Sequence, residues 1–155
     1  MNIIFYFLIA VLTFLLMECL MWLIHKYIMH GFLWIWHRSH HSLQRHRFEP
    51  NDIFTLGLLL TALGTIIFSF EFDFNALMVR SIGIGILFYS LAYFLFHDII
   101  LHRRIRINYI PKSRYMKRLI NAHFIHHSKH TKNGCESFGF LFACKKYDPK
   151  YRKVL

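Results

Sequence analysis

The chain has 155 residues, of which 55% are hydrophobic and 18% aromatic, and its formal net charge is +11. The length suits a single domain, but this hydrophobic content is too high for a water-soluble globule, so we expect a membrane protein. The positive charge suits anionic lipid headgroups better than nucleic acid, because the basic residues flank apolar stretches and no nucleic-acid-binding motif is present.

Three apolar stretches have the length to cross a bilayer as helices, since about 20 apolar residues suffice. They are residues 2–24, 53–70 and 76–96. The first stretch is interrupted by Glu18, a carboxylate that is costly to place inside a membrane span and therefore seldom without a role. We predict an all-α integral membrane protein with about three transmembrane helices, forming one domain over residues 1–155.

The basic residues predict how the chain is oriented in the membrane. Of the 19 lysines and arginines, four lie in residues 25–52 and fourteen in residues 97–155. The positive-inside rule then places both segments and the C-terminus in the cytosol, with the N-terminus outside. Because two spans separate the segments, both emerge on one face of the membrane, where they can form a helical cytosolic cap around a shared site.

All twelve histidines lie in these two segments or where the spans enter them. Ten of them form four boxes, with the spacings H-x4-H, H-x2-H-H, H-x4-H and H-x2-H-H in chain order. The ten are His25, His30, His37, His40, His41, His97, His102, His123, His126 and His127. His46 and His130 lie outside the boxes.

The spacings predict local backbone geometry. Positions i, i+3 and i+4 fall within an arc of about 100° on one helix face, so each H-x2-H-H box predicts a helix whose imidazoles point to one place. A separation of five residues spans about 140° on an α-helix, so an H-x4-H pair converges only where the helix ends or widens to a π-turn. Gly31, directly after His30, is a candidate helix end for the first pair, whereas residues 97–104 carry no such signal.

Ten imidazoles gathered in one cap favour a metal centre. Protonated imidazoles would repel one another, whereas neutral imidazoles are good ligands for iron, copper or zinc. Ten nitrogen donors exceed the needs of one ion, and two ions with four or five imidazoles each fit the count. No cysteine lies in the boxes. A pair of nitrogen-ligated irons at a membrane surface suits the activation of O₂ toward an unreactive C–H bond.

Two carboxylates are candidates to orient ligand imidazoles. Glu18 precedes His25 by seven residues and shares its helix face, so it could accept a hydrogen bond from a ligand imidazole or make a polar contact between helices. Asp98 directly follows His97, where it could orient an imidazole or pair with an arginine.

Four further residues are weaker candidates. His130 returns to the face of His123 and could be a ligand or a partner of one, and His46 lies among arginines. Tyr89 and Tyr93, one turn apart on the third span, could line a substrate groove or pack between helices.

Seven motifs resemble those of the bacterial-type β-carotene hydroxylases, which belong to the fatty acid hydroxylase and sterol desaturase superfamily of membrane di-iron enzymes. They are HKYIMHG at 25–31, WHRSHH at 36–41, FEPND at 48–52, HDIILHRR at 97–104, YIPKSRYMKRL at 109–119, AHFIHH at 122–127 and GCESFGFLFA at 134–143. Together they cover nearly the whole chain outside the spans.

The resemblance implies hydroxylation at C3 of β-ionone rings, converting β-carotene through β-cryptoxanthin to zeaxanthin. It implies two iron ions held by the ten boxed histidines, O₂ as co-substrate, two electrons from reduced ferredoxin, a carotenoid supplied by the bilayer, and a bacterial inner membrane. Basic residues of the cap could dock an acidic ferredoxin or contact headgroups; they include Arg103, Arg104, Arg106, Lys117 and Arg118.

Two other classes of function remain open. The same scaffold could serve as a carotenoid ketolase, a fatty acid or sterol hydroxylase, or a desaturase. A protein that only binds or transports metal, or that holds haem, is the non-enzymatic alternative. Haem ligation needs histidines inside opposing spans, where the sequence has none, and Glu18 alone makes a poor polar path for a transported ion.

Overall fold

Three long apolar helices form the body of the protein in a computed structural model, which describes residues 2–42, 48–71 and 75–151. All three are long and apolar enough to cross a membrane, as predicted; they are Ile3–Phe32, Asp52–Glu71 and Ala76–Leu101. The described residues contain no strand. The predicted all-α class with three spans is therefore confirmed, although the first and third helices extend beyond their predicted ends.

These extensions are not regular α-helix. Helix α1 (Ile3–Leu23) continues as a π-helical segment, Ile24–Phe32, and α4 (Ala76–Tyr93) continues as a second one, Phe94–Leu101. Between them, α3 (Asp52–Phe68) ends in a 3₁₀ turn.

The cap contains two further α-helices. Helix α2 (Trp34–His37) is a single turn, and α5 (Arg114–His127) begins where the Ser113 hydroxyl accepts a hydrogen bond from the Met116 N–H at 3.2 Å. A 3₁₀ turn follows at Lys145–Tyr147. The rest of the described cap is irregular, so it is less helical than predicted.

Helix α4 packs between α1 and α3. The side chains buried at these contacts are Met17, Met21, Leu58, Ala62, Ile86, Tyr89 and Tyr93, joined by Phe140 from the cap. Many outward side chains, such as Phe7, Leu60 and Ile67, are exposed and apolar. In a membrane these faces meet lipid, so the helices pack through close contact rather than through expulsion of water.

Two glycines of α4 allow this close packing. A Cβ atom at Gly83 would lie 2.6 Å from the Ile66 side chain on α3, and one at Gly85 would lie 2.5 Å from the Ala10 carbonyl oxygen on α1. A Cβ atom at Gly57 of α3 would have no such neighbour within 4 Å.

We therefore expect Gly85→Ala to destabilise the helix bundle by roughly 1–3 kcal/mol, because overpacking forces the helices apart. Gly57→Ala is the matched control, and we expect it to leave stability unchanged or slightly higher, since alanine favours helix. Denaturant unfolding of the two variants in mild detergent measures the difference. Equal unfolding midpoints for Gly85→Ala and the unsubstituted chain would contradict this packing.

Candidate metal centre

The two π-helical segments bring each H-x4-H pair together. His25 and His30 lie on the first segment, and their ring centroids are 5.2 Å apart. His97 lies on the second segment and His102 directly follows it, with ring centroids 4.6 Å apart. The backbone widens as the spacing required, because a π-helix bonds residue i to i+5. Gly31 leaves helical geometry with φ −99° and ψ −123°, whereas the second widening had no signal in the sequence.

The two H-x2-H-H boxes differ from each other. The second such box lies in the last turns of α5, so its predicted helix is confirmed. The first does not form one helix, because α2 ends at His37 and tight turns follow it. In these turns the N–H of His40 donates to the His37 carbonyl at 3.0 Å, and that of His41 donates to the Arg38 carbonyl at 3.2 Å. This path sends His40 away from His37 and His41.

The imidazoles gather in two clusters, within each of which one nitrogen per ring lies within 4.8 Å of all the others. The first cluster contains His25, His30, His37, His41 and His126. The second cluster contains His40, His97, His102 and His123. Both H-x2-H-H boxes are divided between the clusters, so neither half of the sequence builds a cluster by itself.

One backbone segment, residues 129–138, orients four imidazoles of the first cluster, and we call it the carbonyl strap. Each of the four Nδ1–H groups donates to a backbone oxygen: His41 to Lys129 at 2.9 Å, His30 to Lys132 at 3.0 Å, His126 to Glu136 at 2.8 Å and His25 to Phe138 at 2.9 Å. A carbonyl oxygen can only accept, so each Nδ1 carries the proton and each Nε2 carries a lone pair. The fifth imidazole, His37, donates to Asn51 Oδ1 at 2.7 Å.

The deprotonated Nε2 atoms face one another at short distances. His30 and His126 Nε2 are 3.2 Å apart, and His37 Nε2 lies 3.1 Å from that of His25 and 3.2 Å from that of His41. Two lone pairs at this distance repel, and no hydrogen is available to join them. A cation among the five nitrogens removes this repulsion, and an all-imidazole donor set suits iron, copper or zinc.

Carboxylates rather than carbonyls orient the second cluster. His97 Nδ1–H donates to Asp98 at 3.0 Å, as predicted from their adjacency, and His40 Nδ1–H donates to Glu49 at 3.3 Å. Arg104 joins these carboxylates, lying 3.6 Å from Glu49 and 3.8 Å from Asp98. On the inner side, His40 and His97 Nε2 are 2.9 Å apart, and those of His102 and His123 are 2.7 Å apart.

The tenth boxed histidine, His127, lies between the clusters. Its ring centroid is 4.3 Å from that of His41 in the first cluster and 4.3 Å from that of His123 in the second. Its Nε2 is buried and has no hydrogen-bond partner within the described parts of the chain. A buried polar atom without a partner is costly, so this nitrogen is also available to a metal ion.

Burial keeps six imidazoles of the cap neutral by lowering their pKa values. It lowers the pKa of His41 to about 4, and other histidines beside it add to the effect. It also holds the pKa well below the usual imidazole value for His37, His40, His123, His126 and His127. Neutral imidazole is the form that binds a metal ion, so these side chains are ready to act as ligands at neutral pH.

Glu18 contacts the cap through the backbone that directly follows the strap rather than through an imidazole. One carboxylate oxygen accepts a hydrogen bond from the Tyr89 hydroxyl at 2.8 Å. The other accepts from three successive backbone N–H groups, those of Phe140, Leu141 and Phe142, at 2.9, 2.9 and 3.1 Å. The predicted hydrogen bond from an imidazole is therefore wrong, whereas the alternative prediction, a polar contact between helices, is the one that the Tyr89 hydroxyl of α4 makes. The carboxylate also fastens the chain immediately after the strap to α1.

Aromatic rings close the site on the side of the spans. Phe140 stacks on His25 with centroids 5.0 Å apart, and Tyr93 stacks on His97 at 4.7 Å. Tyr89 and Tyr93 are fully buried between the helices. Of the two alternatives predicted for them, packing between helices is the one that the structure shows, and neither side chain lines a groove in the described part of the chain.

Of the two weaker histidine candidates, only His130 lies within the described residues, and it is outside both clusters. His130 is exposed, and its Nδ1 donates to the backbone carbonyl of His41. His46 falls outside the described residues. Sequence reasoning did not identify Glu49 or Asn51 as imidazole partners, and it missed the strap. The FEPND and GCESFGFLFA motifs were the available signal for these partners and for part of the strap.

A cavity of about 560 Å³ opens between α3 and α4 beside the second cluster. Its walls are largely apolar, and its polar end is formed by Asp52, Asp98 and Arg104. Asp98 lines the cavity and accepts a hydrogen bond from His97, so one side chain separates the cavity from an imidazole of the second cluster.

Comparisons with known proteins agree with this geometry. A profile of the fatty acid hydroxylase family matches residues 10–146. A β-carotene hydroxylase of Pantoea ananas is 42% identical over 141 residues, covering 88% of this chain and 76% of the relative. One from a Paracoccus species is 40% identical over 138 residues, covering 88% and 83%. The chloroplastic β-carotene 3-hydroxylase 2 of Arabidopsis thaliana is 31% identical over 108 residues, covering 67% and 35%. No solved structure shows significant similarity to the chain.

Glu18→Ala should lower the metal content of the purified protein, because the three N–H groups lose their acceptor and the strap loses its anchor on α1. Glu18→Gln keeps an amide oxygen for these N–H groups, so we expect it to retain more metal than Glu18→Ala. Elemental analysis per chain, with folding followed by circular dichroism, makes the comparison. Equal metal in Glu18→Ala and the unsubstituted protein would show that the strap does not need this carboxylate.

Removing one imidazole should impair one cluster and leave the other. We expect His126→Ala and His102→Ala each to reduce the metal content from about two ions per chain to about one, since loss of a ligand weakens that ion's site. Elemental analysis after loading with Fe²⁺ or Co²⁺ measures this. A loss of all metal in both variants would mean that the clusters bind as a single unit.

Proposed function

Because the chain belongs to the fatty acid hydroxylase family, and within it to the β-carotene hydroxylases, we propose that it is a membrane monooxygenase of carotenoids. The reaction inserts one oxygen atom from O₂ at C3 of each β-ionone ring, giving β-cryptoxanthin and then zeaxanthin from β-carotene. The observation that carries the proposal is the convergence of one imidazole nitrogen per ring in two clusters, with the Nδ1–H groups of most of these rings donating to backbone or side-chain oxygens. A bound cation makes this arrangement favourable.

The proposed cofactor is a pair of iron ions, one held by each cluster, with His127 available to either. When bound, iron supplies the activation of O₂ that attack on an unreactive C–H bond requires. Each hydroxylation consumes one O₂, two electrons and two protons; one oxygen atom becomes the hydroxyl group and the other becomes water.

The chain's own groups prepare and protect the site. The strap carbonyls fix the tautomer of four imidazoles, so their Nε2 atoms need no rearrangement to bind metal. Asp98 and Glu49 do the same in the second cluster and add negative charge beside their imidazoles, which strengthens these as donors. Phe140 and Tyr93 cover imidazole faces on the side of the spans and exclude water there.

The protein is a membrane protein, and we propose that its substrate arrives from the lipid. A carotene has no polar group and partitions into the bilayer, where the exposed apolar faces of the spans lie. The cavity between α3 and α4 has mainly apolar walls, which suit a hydrocarbon ring. Its lining includes Asp98, which contacts His97 of the second cluster.

We also propose the location and orientation of the chain in the membrane, its domain extent and its electron donor. The uneven distribution of basic residues supports an orientation with the N-terminus outside and the C-terminus in the cytosol, and the similarity to bacterial relatives supports a bacterial inner membrane. The chain would act as one domain over residues 1–155. The two electrons would come from a reduced ferredoxin on the cytosolic side.

Expression in a host that makes β-carotene tests the reaction. We expect β-cryptoxanthin and zeaxanthin by liquid chromatography with mass detection, and we expect neither product from His126→Ala, because the first cluster then loses a ligand. Recovery of unchanged β-carotene alone, or of keto-carotenoids, from the unsubstituted protein would contradict the assignment.

Filling the cavity tests the substrate's approach. Leu91→Trp places a large ring among the cavity walls, so we expect slower turnover of β-carotene with unchanged metal content. Leu60→Trp, on an exposed position of α3 outside the cavity lining, is the matched control and should turn over normally. Equal turnover in the two variants would place the substrate elsewhere.

A further inference from the structure

Residues 128–134, Ser-Lys-His-Thr-Lys-Asn-Gly, form an exposed loop after α5, and we call this segment the basic loop. Every residue in it is exposed. It contains two lysines, Lys129 and Lys132, and neither an acidic nor a large apolar side chain. Its surface is therefore positive and suited to water.

The backbone of the basic loop contacts the first cluster directly. The Lys129 carbonyl accepts from His41 Nδ1–H at 2.9 Å, and the Lys132 carbonyl accepts from His30 Nδ1–H at 3.0 Å. Each of these exposed backbone positions is therefore one hydrogen bond away from a buried imidazole, His41 or His30, whose Nε2 belongs to the first cluster. Elsewhere in the strap the carbonyls belong to half-buried residues, Glu136 and Phe138.

The other basic stretch of the cap has a different character. Between residues 103 and 112, the arginines alternate with Ile105, Ile107 and Ile110, which are 52%, 40% and 76% exposed. Exposed isoleucines beside arginines suit the boundary between headgroups and acyl chains. Arg104 is also occupied by Glu49, Asp52 and Asp98. This stretch therefore fits the lipid surface better than a water-soluble protein.

We infer that the basic loop is the docking surface for a small acidic protein that carries one electron at a time. The inference rests on the proposed function, which needs two electrons for each O₂ reduced. Two reduced carriers would bind in succession, each losing one electron to the first cluster when it holds iron, while the two protons come from water. The charge of Lys129 and Lys132 would speed encounter with an acidic partner, and the backbone behind them lies against His41 and His30.

The test uses the full chain in phosphatidylcholine vesicles with β-carotene, and a reduced plant-type [2Fe–2S] ferredoxin as the donor. We expect Lys129→Glu combined with Lys132→Glu to raise the KM for ferredoxin about tenfold at low ionic strength and to weaken its salt dependence. Arg106→Glu combined with Lys117→Glu is the matched control of equal charge change on exposed residues, and its KM for ferredoxin should stay unchanged. The same variants are then reduced with dithionite, which needs no docking.

The dithionite arm separates the inference from the proposed function. The loop variant changes only the side chains of Lys129 and Lys132 and keeps the backbone carbonyls that orient His41 and His30. A raised ferredoxin KM with normal dithionite-driven hydroxylation and normal metal content in this variant supports the docking surface. An unchanged ferredoxin KM in the loop variant, or an increase of equal size in the control, overturns it. Loss of dithionite-driven turnover or metal in the loop variant also overturns it, because the lysines would then serve the site itself. An unsubstituted protein that hydroxylates nothing with either reductant would instead refute the proposed function.

Discussion

Lone-pair repulsion among buried imidazoles is the constraint on which the rest of the structure depends. Four Nδ1–H groups of the first cluster are committed to backbone carbonyls, so the Nε2 atoms can neither donate to one another nor reach water. A cation among the five nitrogens would remove this repulsion. The hydrogen bonds of the cap hold these imidazoles with the proton on Nδ1 and a lone pair on Nε2. The low pKa of His41 results from the same burial.

The strap and the backbone that follows it link the membrane spans to the cap through hydrogen bonds. Glu18, within α1, fastens the backbone N–H groups at 140–142, and the carbonyls just before them orient His25 and His126. The N-terminal part of the strap lies in the exposed basic loop, and the carbonyls of Lys132 and Lys129 there orient His30 and His41. The half-buried Glu18 carboxylate therefore fixes the backbone that follows one end of the strap, the exposed lysines lie toward the other end, and the strap carbonyls between them orient imidazoles of the first cluster.

The sequence was informative where chemistry depends on spacing. Hydropathy predicted the three spans, and the five-residue separations of His25 from His30 and of His97 from His102 required the π-helical widening that the structure shows. The sequence was uninformative where the hydrogen-bond partner of an imidazole is a backbone carbonyl, because every residue type has a carbonyl. The strap was missed for this reason. Turns after His37 replace the predicted helix, whereas α5 divides its imidazoles between the clusters and stays helical. Local spacing does not encode which of these two backbones forms.

X-ray absorption at the iron edge of the anaerobically loaded protein reports the atoms bound to the metal, so it shows whether the imidazole clusters hold iron. We expect about two irons per chain, each with nitrogen neighbours and the outer-shell scattering of four or five imidazole rings. One iron per chain, sulfur neighbours, or a shell dominated by carboxylate oxygen with few imidazoles would contradict this expectation.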